Sequence, residues 1–215
     1  DGEVGDWESI GNEVELKDGT TDEFATVKLA YDSEKLYIEY TMSDDTPMAN
    51  SAAEFQTLFK YGDMVDLCLS PSGNTASTTR SGDERIMMSM YKNKPVAVLA
   101  RQIESSSDKN EYTYSSPVMN VHFDNVKILT EADIVIQRMP TGAVIEAAIP
   151  LTSLGLEGIS SGKAIVGDLG IIPSDEDGMR NKARIYFYNK KTAMISDLPS
   201  ESKLTPNEWG KIKFE

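Results

Sequence analysis

The residues of this chain that could do chemistry are mostly acids. It carries 35 Asp and Glu against 21 Lys and Arg, with one His and one Cys. Two loops concentrate carboxylates, "SDD" at 43–45 and "SDEDG" at 174–178. Clustered loop oxygens suit a hard cation, so Asp44, Asp45, Asp175 and Asp177 are the candidate calcium ligands, although neither stretch is a complete helix-flanked calcium loop. An ordinary solvated acidic loop is the alternative. Paired carboxylates could also hydrolyse a glycoside, but spacing along a chain does not reveal which two face each other across a cleft.

Other chemistries find little support. His122, in "NVHFDN", has neither a Gly-x-Ser-x-Gly elbow nor a reactive-cysteine context beside it. One His and one distant Cys do not furnish a zinc site of the usual kind. "GDLGII" has too few glycines, and no following helix, to cradle phosphate. Cys68 lies among apolar neighbours in "MVDLCLS" and reads as a core residue. The ten methionines read as core filling; the competing use is an axial haem ligand opposite His122 or a lysine of the Lys190–Lys191 pair. The chain is therefore expected not to be an enzyme.

Composition narrows the partners. A net charge of −14 and a pI near 4.5 repel phosphate backbones and anionic membranes, which argues against nucleic acid. Sugars and cations remain open. No run approaches the ~20 apolar residues that a spanning helix needs. The chain begins with Asp1, as a segment cut from something longer would.

The elements that must position any site are strands. "LYIEYTM" (36–42) alternates Leu36, Ile38, Tyr40 and Met42 against Tyr37, Glu39 and Thr41. "EFATVKLAYD", "GDMVDLCLS", "AIVGDLGII", "ARIYFYN" and the terminal "WGKIKFE" have the same period. Hairpins are predicted around Lys92-Asn93-Lys94-Pro95 and Pro140-Thr141-Gly142. Only "PLTSLGL" (150–156) reads as a helical turn. The segments 71–83, 104–117 and 173–182 read as loops, and none has the length or composition of an interdomain linker. This predicts one all-β domain over 1–215, a two-sheet antiparallel β-sandwich with at most one or two short helical turns.

Strand parity then gathers polar groups opposite the apolar faces. Asp66 opposes Val65 and Leu67, Arg85 opposes Ile86 and Met88, and Glu146 opposes Ile145 and Ala147. Asp168 opposes Leu169 and Ile171; Arg184, Tyr186 and Tyr188 oppose Ile185 and Phe187. One wet sheet face carrying these groups suits polyhydroxyl recognition, and equally an ordinary solvated face laced by Arg–carboxylate pairs.

The opening "DGEVGDW" and the blocks "VKLAYDSEKLYIEYTMSDD", "GDMVDLCLS", "AVIEAAIPLTSLGL", "GKAIVGDLGII" and "PNEWGKIKF" resemble, in order, family 9 carbohydrate-binding modules of the DOMON-like β-sandwich superfamily. The resemblance implies a jelly-roll-like sandwich secreted to an extracellular, periplasmic or cell-surface location, as part of a larger protein. It implies saccharide bound on one sheet face, calcium in some members and b-type haem in some more distant relatives. It places a ligand acid on Asp66 and a ligand arginine on or near Arg85. The two sugar-stacking tryptophans of the family fall near Phe59 or Lys60 and near Phe187, so the aromatic clamp departs from the pattern. Trp7 and Trp209 belong to terminal motifs expected to be structural. A module for interaction or assembly without sugar specificity is the alternative. Because Asp66 and Arg85 are expected outside the core, removing either should abolish binding without lowering the melting temperature.

Overall fold

The computed structural model describes residues 4–19, 21–107, 109–192 and 197–215. The first three residues of the "DGEVGDW" block and Asp108 of the 104–117 segment lie outside them. The alternating runs become strands, with short strands such as β1 added that the sequence reading did not single out: β1 (Glu13–Leu16), β2 (Phe24–Tyr31), β3 (Lys35–Ser43), β4 (Met64–Ser70), β5 (Glu84–Tyr91) and β6 (Lys94–Arg101). Then follow β7 (Tyr112–Ser115), β8 (Asn120–Phe123), β9 (Asn125–Ile128), β10 (Asp133–Met139) and β11 (Gly142–Pro150). The last are β12 (Ala164–Ile172), β13 (Ile185–Tyr186) and β14 (Gly210–Lys213). The predicted hairpins join β5 to β6 and β10 to β11. Lys92 and Asn93 take φ of 50° and 62°, the left-handed pair that a two-residue hairpin turn demands.

Two antiparallel sheets pack face to face. One runs β1-β2-β3-β11-β10, the other β13-β12-β4-β5-β6-β9, with β14 also paired to β12. Between them Ile38, Tyr40, Met42 and Ile145 meet Val65, Leu67, Ile86, Met88 and Ile171, all buried. The all-β sandwich is as expected.

Residues 151–155 form consecutive i→i+3 turns, as the helical-turn reading expected. Other features differ from expectation. The 104–117 segment, expected as a loop, carries β7 (Tyr112–Ser115), and the one α-helix among the described residues, α1 (Leu198–Ser202) with Pro in its first turn, was not expected. More consequential is a third layer on the far face of the larger sheet, made by the 49–62 segment, the β7–β8 hairpin and residues 198–209. It forms a second apolar cluster in which Phe59, Tyr114, Phe123, Leu204 and Trp209 cover Met64, Cys68, Met87, Val98 and Val166. The face expected to be wet is thus covered. Alternation was read correctly, but the polar positions of β4 and β5 are buried and paired.

Candidate functional site

Asp66 on β4 and Arg85 on β5 project from that covered face, one diagonal step apart in the register. Arg85 grips the carboxylate as a fork, Nε donating to Oδ1 at 2.7 Å and Nη2 to Oδ2 at 2.6 Å. The Tyr186 hydroxyl donates to the same Oδ2 and accepts from Arg85 Nη2 at 3.2 Å. From the opposite sheet, Tyr40 donates its hydroxyl to the Asp66 carbonyl. Tyr186 reaches this position because its ring lies over Gly170, where a Cβ would come within 2.4 Å of it. Asp66 is 0% exposed and Arg85 4%, so the pair is desolvated and depends on its geometry. Burial alone would disfavour the Arg85 charge; the facing Asp66 outweighs it and holds the guanidinium above its ordinary pKa.

A second arginine completes the cluster. Arg184 donates Nη2 to the Phe59 carbonyl at 2.9 Å and lies 3.2 Å from Glu201 Oε2, with Lys60 Nζ at 3.1 Å from the same oxygen. Arg85 also donates Nη1 to the Glu201 carbonyl at 3.3 Å. Both guanidiniums approach the Phe59 ring, Arg85 at 5.0 Å and Arg184 at 5.8 Å from its centroid. Its ring is 1% exposed, so it stacks on arginine and offers no open face. The aromatic clamp expected near Phe59 and Phe187 is not assembled.

Beside this network lies a cavity of about 300 Å³ between the sheet face and the 198–209 segment. Arg85, Arg184, Tyr186, Asn189, Glu201 and Trp209 are among its walls. Sequence reading missed Glu201, which lies in no strand pattern, and treated Trp209 as structural only; Trp209 opens the "WGKIKFE" run, whose period does not say which face its first residue meets.

The remaining expected ligands go elsewhere. Glu146 is on β11 of the other sheet, where it accepts from Trp7 Nε1 at 3.2 Å, so it does not join the Asp66 patch. Asp168 shares the Asp66 face but serves as an anchor, accepting backbone N–H groups of Leu169, Tyr188 and Asn189. Burial raises its pKa to about 6 against those bonds. Phe187 and Tyr188 are partly exposed and edge-to-face. With Tyr31, Phe214 and Asp168 they line a separate groove of about 540 Å³ at the open edge between the sheets.

The acidic loops also divide. Asp44, Asp45 and Glu23 bring carboxylate oxygens within 4.8 Å of one another. Lys182 Nζ sits among them, 3.0 Å from Asp44 and 3.4 Å from Glu23, and in contact with Asp45. Burial, together with the Asp45 neighbour, pushes Asp44 up to about 7, and its buried Oδ2 has no partner. All-oxygen donors with one unsatisfied atom fit a hard cation. The lysine already supplies one positive charge there. Asp175 instead closes its own loop, accepting from Met179 and Arg180 N–H at 2.7 and 3.1 Å. Neither it nor Asp177 joins a metal-ready group among the described residues. His122 is half exposed on β8, 3.4 Å from Asp124, and lines none of the cavities described above.

No family model matches the chain, and no curated protein matches it in sequence. Solved structures do match in shape. A family 9 carbohydrate-binding module from Caldicellulosiruptor kristjanssonii, solved with cellotriose, aligns with a TM-score of 0.65 and 19% identity over 99% of this chain and 87% of that one. The module solved with glucose aligns with a TM-score of 0.62 and 17% identity over 100% and 90%. A candidate carbohydrate-binding protein from Bacteroides uniformis gives a TM-score of 0.50 at 9% identity over 95% and 86%. From end to end, this chain has the fold of family 9 carbohydrate-binding modules.

Proposed function

We propose that the chain is a non-catalytic carbohydrate-binding module that holds one sugar unit in the cavity above Arg85 and Arg184. The observation that carries this reading is the cavity itself. It opens on the sheet face that bears Asp66, and it combines guanidinium, hydroxyl and amide groups with the indole of Trp209. At about 300 Å³ it lies at the small end of ligand pockets, which suits a terminal or single residue rather than a long chain. Its acids are held in ion pairs, an arrangement for binding rather than for moving protons. Secretion, attachment to further domains as one single-domain module and a DOMON-like ancestry belong to the same reading. Calcium would be structural, held by Glu23, Asp44 and Asp45 in competition with Lys182.

Hydroxyl recognition returns about 0.5–1.5 kcal/mol per hydrogen bond, and no open aromatic clamp adds to it. Dissociation constants near ~0.1–1 mM are expected. The test is a screen of soluble mono- and oligosaccharides, read by the Trp209 indole resonance and repeated with Asn189→Ala, which should weaken binding without unfolding. If no saccharide at roughly ten times the weaker constant moves that resonance, the reading fails. A protein-interaction module then takes its place, for which the exposed Phe187–Tyr188 pair is the favouring observation.

A further inference from the structure

The charge around the cavity is opposite in sign to that of the molecule. Arg85, Arg184, Lys191 and Lys203 line it against only two acids, Glu201 and Glu208. Asp66 lies behind Arg85 and Lys60 behind Glu201, so the local excess is positive in a chain of net charge −14. At physiological ionic strength, charges beyond about 8 Å are largely screened. An incoming group therefore responds to the cavity rather than to the distant acidic surface.

The two arginines are not equivalent. Arg85 is neutralised by its own bidentate carboxylate. Arg184, 7% exposed, shares its Glu201 ion pair with Lys60, and its Nε has no hydrogen-bond partner among the described residues. Burial holds its pKa below the ordinary value, the behaviour of a guanidinium with too little opposing charge. The nest also shows what it accepts: the Glu201 carboxylate lies between Lys60 and Arg184.

We infer that this cavity selects saccharides bearing a carboxylate, that is uronic acids, over their neutral counterparts. The inference rests on the saccharide reading of the same cavity. A uronate carboxylate supplies the charge that Arg184 lacks, through charge-assisted hydrogen bonds about twice as strong as those of neutral hydroxyls. Glu201 is the chain's internal competitor for that position.

Paired titrations decide it: glucuronate against glucose and galacturonate against galactose, followed by amide and indole shifts in low and physiological salt. The uronate of a pair should bind at least roughly tenfold more tightly, and added salt should erode the difference. Glu201→Gln should tighten uronate binding several-fold and shift the ratio of uronate to neutral-sugar affinity in favour of the uronate. Arg184→Gln, checked by thermal melt, should abolish the preference; if it does not fold, Lys203→Gln should reduce it. Equal binding of neutral and acidic sugars, or a Glu201→Gln variant that weakens uronate binding, overturns the inference and leaves the saccharide reading intact. If neither class binds, the saccharide reading itself fails.

Discussion

The Asp66 network and the Asp44 corner are both built from carboxylates facing a cation, and they balance charge differently. At Asp66, which is 0% exposed, one carboxylate meets one guanidinium through two parallel bonds and a tyrosine hydroxyl adds a second bond to Oδ2. At the corner, Glu23, Asp44 and the largely exposed Asp45 share the single Lys182 ammonium. At the corner Asp45 is open to water and the buried Asp44 can relieve the surplus by holding a proton, its pKa raised to about 7; under the third layer Asp66 and Arg85 have no such outlet and must match one to one. Depth, rather than the number of acids, sets how strictly charges must pair.

Breaking the buried pair should have the largest effect. Asp66→Ala leaves Arg85 charged and desolvated, and is expected to cost about 3–5 kcal/mol in denaturant unfolding. This reverses the sequence-based expectation of an unchanged melting temperature. The double change Asp66→Leu with Arg85→Met should recover most of that loss, since well-packed apolar replacements of buried ion pairs are often neutral. A double variant as unstable as the single one would show that the pair itself stabilises the sheet.

The corner should respond less. Lys182→Met leaves three carboxylates without their cation and should cost about 1–3 kcal/mol. Millimolar calcium should restore part of that by mass action, while moving the parent's melting midpoint far less. Equal calcium responses in parent and variant would break the contrast, because the lysine would then not be occupying the cation position.

The smallest effect comes from pH. Burial raises Glu84 to about 7, against its Arg101 partner, and Asp168 to about 6. Both folded values lie above the ordinary ones, so the folded protein holds these protons more tightly than the unfolded chain. Their stabilisation is full at low pH and is lost as pH rises through 6 to 7. Acidification from pH 8 to 5.5 should therefore stabilise by about 1–2 kcal/mol, or about 2–4 °C in melting temperature per kcal/mol. A melting temperature that falls over this range would contradict the assignment.

These contrasts mark what the sequence could convey. The strands were legible because Val65, Leu67 and Leu69 alternate with Met64, Asp66 and Cys68 whatever lies beyond them, and the Lys92–Asn93 turn follows from local conformation. The third layer was not legible. A polar position opposite a core reads the same whether it faces water or a buried arginine, so Asp66 and Arg85 were correctly paired in kind and wrongly placed at the surface. Glu146 failed for a related reason, since parity assigns a face within a strand but not which sheet the strand joins. Glu201 sits in a helix of five residues, too short to leave a periodic signal.

The central position of β4 has a consequence for how quickly the molecule assembles. It pairs with β5 on one side, close in sequence, and with β12 on the other, where Ser70 lies opposite Val166 and Met64 opposite Ile172. That second pairing joins segments roughly a hundred residues apart, and such distant contacts must be closed before they return any stability. The β5–β6 and β10–β11 hairpins can form early, whereas the larger sheet waits for β12. The β3–β11 pairing of the other sheet spans a similar distance, so refolding should run on the slow, millisecond-to-second scale of non-local β-proteins, with the amides at the β4–β12 and β3–β11 seams the last to gain protection from exchange.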